Sequence, residues 1–201
     1  MFLKGGCTLK KALIVPAALI LLTLISCTNI QSAKPVDSSE YKSIPKLLEP
    51  IMITSFGQSI DIVILEGILD NLKINYTSEP KAIMNQFSQY KTIIVVVGSS
   101  KKGLIFSNTT LKDELDRIER IKKTIPADTS VVLIHMGGAS RRGNDSDEII
   151  KNSLFVADSI LVVSDGNSDG LFSKYAQKSN IWFKEVMDLS KLQEELGDLI
   201  Q

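Results

Sequence analysis

Four uninterrupted apolar runs constrain the fold of this 201-residue chain more than any other feature. They are Ile51-Met52-Ile53-Thr54, Thr92 through Val97, Ser130 through Ile134, and Ser159 through Val163. Each is short, rich in β-branched residues and free of polar alternation. A strand with no polar face is buried on both sides, which marks a parallel sheet covered by helices. Stretches of helical period separate the runs, at residues 59–72, 111–123, 146–155, 171–178 and 191–200, with a shorter helix at 80–88. Two lesser strands are expected at 73–76 and 181–183. Cap signals fit the same plan: Thr110 with Asp113, Asp145 with Glu148, Ser190 with Gln193. The implied fold class is α/β, a three-layer α/β/α domain on a mostly parallel five- or six-stranded sheet. Its strand order is flavodoxin-like or Rossmann-like, and the small strand count favours the former.

The N-terminus carries a different message. Lys4, Lys10 and Lys11 precede an apolar run of 14 residues from Ala12 to Ile25. At ~1.5 Å per residue that is roughly 21 Å of helix, short of the ~30 Å of bilayer hydrocarbon. The length suits a signal peptide. Leu24-Ile25-Ser26-Cys27 closes the run in the pattern of a bacterial lipobox, which implies cleavage before Cys27 and acylation of its sulfur by chains such as palmitate. The expected organisation is a lipoprotein signal peptide at 1–26, a lipid-anchored flexible tether at 27–48 and one α/β domain at 49–201. The expected address is the extracytoplasmic side of a cell membrane, with the bilayer as a partner through Cys27.

Removing residues 1–26 takes away three lysines and no acid, leaving a formal charge of −3 on the remainder. That balance argues against nucleic acid as a partner. Cys7 lies in the leader and Cys27 is reserved for lipid, so no disulfide staples the domain and its stability must come from packing.

Connections leaving the strands are long and polar; those entering them are short. In a parallel sheet all strand exits share one edge, where ligands of open α/β folds bind. The first exit offers Ser55, Gly57, Gln58 and Ser59. The second, Gly98-Ser99-Ser100-Lys101-Lys102-Gly103, has the glycine spacing of a phosphate loop, but Leu104 and Ile105 stand where Lys and Ser/Thr are required. Nucleotide hydrolysis is thereby disfavoured, leaving a flexible turn or anion contact by backbone amides and Lys101. The third exit is the densest. His135, the only histidine, closes a buried strand, Gly137 and Gly138 permit close backbone approach, and Arg141 and Arg142 suit carboxylate or phosphate. The fourth carries Asp165, Asn167 and Asp169 in half of a calcium loop. Its twelfth position is Ala176 rather than Glu, so a helix-capping turn built on Ser168 or Asp169 explains it better than a metal.

Segments Ile53 through Ser59, Val95 through Lys101 with Gly103-Leu104, His135 through Gly138 with Arg141-Arg142-Gly143 and Ser146-Asp147, and Asp165-Gly166-Asn167 with Asp169-Gly170-Leu171-Phe172 together resemble an uncharacterised family of exported bacterial α/β domains, the domain-of-unknown-function family 6305. The resemblance covers about 49–200. It implies an extracytoplasmic domain with those four segments as its characteristic loops, and carries no activity with it.

The leading expectation is a lipid-anchored module that binds a small anionic or polar ligand at the C-terminal edge of the sheet. The alternative is a hydrolase or transferase with His135 as general acid/base, assisted by Asp147 or Asp169. A scaffold for an envelope complex is a third. No motif names a cofactor.

Overall fold

The computed structural model describes residues 43–200. The leader, Cys27 and most of the expected tether lie outside the described residues. Six strands form one parallel sheet in the order β2-β1-β3-β4-β5-β6. They are β1 (Ile51–Phe56), β2 (Tyr76–Ser78), β3 (Thr92–Val97), β4 (Ser130–His135), β5 (Ser159–Val163) and β6 (Trp182–Val186). This is the flavodoxin-like order with one strand added at the far edge. The order reverses between β1 and β3, the point where crossovers depart to opposite sides.

The parity of the strands builds the layers. Met52, Ile93, Val95, Leu133 and Ile160 face one core, with α3 (Leu111–Ile121), α4 (Asn144–Ser153) and α5 (Leu171–Ser179) packed on them. Ile53, Ile94, Val96, Ile134 and Leu161 face the other, covered by α1 (Asp61–Asn71) and α6 (Leu189–Asp198). Alternate residues of one strand thus serve different cores, which is why the runs carry no polar face. Leu47 is buried against the second core, and its N–H donates to the carbonyl of Leu199 at 2.8 Å.

Where boundaries depart from the sequence reading, backbone capping is the reason. The strand expected at 73–76 begins only at Tyr76, because the preceding residues close α1. Lys73 adopts φ 57° and Ile74 N–H reaches back to the Leu69 carbonyl at 3.0 Å, the hydrogen bond of a left-handed helix terminus. Asn180 and Ile181 end α5 in the same manner, delaying β6 to Trp182. The segment expected as a short helix at 80–88 is a 3-10 turn, Met84–Gln89. Thr110 and Asp113 form the expected capping box on α3. The other two caps are displaced. α4 starts at Asn144, leaving Asp145 inside its first turn. Asp188 rather than Ser190 caps α6, accepting from the N–H groups of Ser190 and Lys191.

A pair of substitutions checks this capping scheme by urea unfolding. Thr110→Ala is expected to lower stability by about 1 kcal/mol. Ser190→Ala, which leaves the Asp188 cap in place, is expected to leave the midpoint nearly unchanged.

Candidate functional site

The register of the sheet brings the first two strand exits together. Ile51 through Phe56 pair in phase with Thr92 through Val97, so both strands end at the same level. The loops then bond directly: Ser100 N–H donates to the Gly57 carbonyl at 3.1 Å, and Gly98 N–H to that of Phe56 at 3.1 Å. Gly57 has φ 97°, and a Cβ there would lie 2.4 Å from the Gly98 carbonyl oxygen. Only glycine permits that turn and that approach.

The segment following β3 is not a loop throughout. Lys101–Phe106 forms a short helix, α2, capped by the Ser100 hydroxyl, which accepts from Gly103 N–H. Gly103 sits on the β1 loop so closely that a Cβ would come within 1.8 Å of the Gln58 carbonyl oxygen.

Beneath the first loop lies a buried ion pair that the sequence reading missed. The Glu114 carboxylate accepts from Gly57 N–H at 3.1 Å, from the Gln58 side-chain amide at 2.9 Å and from Arg117 at 2.9 Å. Arg117 also donates to the carbonyls of Ala82, at 2.9 Å, and Ser55. Both residues lie in the charged helix expected at 111–123, with nothing to single them out. Their spacing held the signal, because Glu114, Arg117, Ile118 and Ile121 share one helical face. The polar atoms of Gly57 and Gln58, expected to serve a ligand, are therefore engaged inside the fold. Ser107 and the Pro80 carbonyl take further bonds to the Gln58 side chain.

Above this layer opens a cleft of about 960 Å³, within the range of small-molecule sites. Ser55, Ser59, Ser99, Lys101 and Arg141 line it, all expected from the sequence, together with Ile60, Val63, Lys102 and Phe106, which were not. The hydroxyls of Ser55 and Ser99 are buried and have no hydrogen-bond partner. Ser99 and Lys101 also line a smaller cavity of about 320 Å³ beside the start of α4, with Arg142, Gly143 and Asn144.

The third exit touches the first two. A Cβ on Gly98 would lie 3.8 Å from His135 Nδ1 and 3.9 Å from Arg141 Cβ, and Ser99 N–H donates to the Ser146 hydroxyl at 3.0 Å. Arg141 Nε donates to Asp61 at 3.3 Å. Asp61 opens α1, is buried, and keeps its Oδ2 unpartnered. It too escaped the sequence reading, because a lone Asp at a helix start reads as a cap.

The other expected residues are locked together rather than opened to the cleft. His135 is wholly buried, with Nδ1 2.9 Å from the Val97 carbonyl oxygen and Nε2 3.2 Å from that of Gly138. Its ring stacks on Phe172 at 5.2 Å. Burial pushes its pKa down, against the two carbonyls that favour the protonated ring. Neither ring nitrogen is presented to the cleft. Arg142 bonds Asp147 at 2.6 Å, Asp169 at 2.8 Å and the Gly166 carbonyl, and hydrogen bonding to Arg142 lowers the Asp169 carboxyl to about 2. Asp165 packs against Gly138, where a Cβ would meet its carboxylate at 2.2 Å. Gly137 abuts Arg141 and Asp61 in the same manner. Asn167 caps α5 by accepting from Phe172 N–H at 3.0 Å, while its amide donates to Glu185 at 2.8 Å. The partial calcium loop is thus a capping turn, with Asn167 and Asp169, not Ser168, holding the helix start. Among the described residues no group of three or more His, Cys, Asp or Glu is placed to hold a metal ion.

The buried pair and a surface pair on the same helix should respond differently to truncation. Glu114→Ala is expected to cost about 3–5 kcal/mol by leaving Arg117 and the Gly57 amide unpaired. Lys112→Ala, which removes an exposed pair with Asp116, is expected to leave the unfolding midpoint where it is. Equilibrium denaturation of both variants checks this.

Residues 48–200 match the family model described as Domain of unknown function (DUF6305). No curated protein and no solved structure matches the chain.

Proposed function

The chain belongs to this family of domains of unknown function (DUF6305), and from its site we propose that it is a binding module for a small anionic or polar ligand, held in the cleft at the β1/β3 switch. One observation carries this reading. The hydroxyls of Ser55 and Ser99 are buried at the cleft without partners, although a buried polar group without a hydrogen bond costs about 1–3 kcal/mol. Ligand atoms bonded to these hydroxyls remove that cost. Charge supports an anion. Lys101, Lys102 and Arg141 line the cleft and no carboxylate does. The neighbouring acid, Asp61, already accepts from Arg141.

The reading includes an address. Cleavage before Cys27 and acylation of its sulfur would hold the domain on the extracytoplasmic face of a membrane, with the cleft open to that compartment. The support is Leu24-Ile25-Ser26-Cys27 after a short apolar run.

Two measurements test these halves separately. Calorimetric titration with inorganic phosphate and with acetate is expected to give saturable one-to-one binding, about tenfold weaker in Lys101→Ala and unchanged in Lys174→Ala; no saturable heat from either anion would overturn the binding reading. Metabolic labelling with a palmitate analogue is expected to mark the chain and to be abolished by Cys27→Ser. Label persisting in that variant would overturn the anchor.

A further inference from the structure

The cleft has an apolar side that an anion alone leaves unused. Ile60, Val63 and Phe106 line it, and all three are exposed, Phe106 to 95%. Scattered exposed apolar residues need no explanation. Three lining one concavity that also holds three cations do. α2 presents both characters at once, with Lys101 and Lys102 at its start and Phe106 at its end. At ~1.5 Å per residue these ends lie roughly 8 Å apart along the axis. No ion pair engages Lys101 or Lys102 among the described residues.

Resting on the binding reading above, we infer that the ligand is a single-chain amphiphile with an anionic head. The head takes the unpartnered hydroxyls of Ser55 and Ser99 with Lys101. The chain runs along Val63 and Ile60 and covers Phe106. Charge sets the orientation, because the cleft is lined by cations without acids, and the exposed apolar surface supplies the remaining affinity. A bilayer surface pressed against α2 is the competing occupant. It would contact Phe106 and the lysines but would leave the buried hydroxyls of Ser55 and Ser99 unbonded.

The test is a homologous series: inorganic phosphate, then methyl, butyl and hexyl phosphate. Each is titrated into the full chain in lipid nanodiscs, with empty discs as the blank. Affinity is expected to rise about fourfold for each methylene that is buried. Phe106→Ser, at an exposed position that leaves the core intact, is expected to flatten this slope without changing the affinity for inorganic phosphate. If phosphate binds and the slope is flat, the amphiphile is overturned while the anion site stands. If no member of the series binds, both fall. A slope that persists in both Phe106→Ser and Val63→Ser places the chain elsewhere and overturns the inference. So does a gain with chain length that the empty discs reproduce.

Discussion

The carboxylate of Glu114 is the constraint on which the cleft edge of the sheet depends. It lies on a helix of one layer yet bonds the first amide beyond β1 and the next side chain, Gln58. Arg117 beside it ties down the Ser55 and Ala82 carbonyls. A turn with φ above zero at two successive residues, Gly57 and Gln58, exposes backbone groups that need partners. The ion pair supplies them from below, so the upper surface of the turn is left to face the cleft. Burying two charges is costly unless each is bonded from several sides, and here each is. The pair fixes a loop at the one point in the sheet where crossovers diverge.

The four glycine-bearing exits share a rim but not a role. Those after β4 and β5 bind one another: Arg142 bridges Asp147 and Asp169, Asn167 closes α5, and Gly138 and Gly166 pack around the Asp165 carboxylate and the His135 ring. Apart from Arg141, which lines the cleft, their polar residues meet each other's needs and form a wall. Those after β1 and β3 are joined through their backbones, and Ser99 and Lys101 of the second line the cleft. The distinction between a self-satisfied cluster and an open one separates the scaffold from the candidate site.

That distinction is also where the sequence stopped being legible. The layers and the parallel sheet follow from runs such as Thr92 through Val97, whose burial on two faces calls for helices on both sides, while the strand order rested only on the small number of strands. The rim follows too, since every exit of a parallel sheet lies on one edge. What could not be read was which polar residues face each other. His135 and Arg142 look like ligand groups in one dimension, but their partners, Val97 and Asp169, come from other strands and loops. Glu114 is not singled out in the sequence for the same reason. Phe106 lay in the connection leaving the second strand, and its place on the cleft comes with α2.

A six-residue helix has little stability of its own, since nucleation consumes most of what so few hydrogen bonds return. α2 persists because it is seated: Gly103 rests directly on the Gln58 carbonyl, with no room there for even one methyl group. Both the cationic and the aromatic ends of the cleft ride on that seat. The form of the cleft therefore hangs on a hydrogen atom, the Gly103 side chain, which faces the protein's own backbone, and a change there would unsettle charge and hydrophobe together without altering any group that faces the cleft.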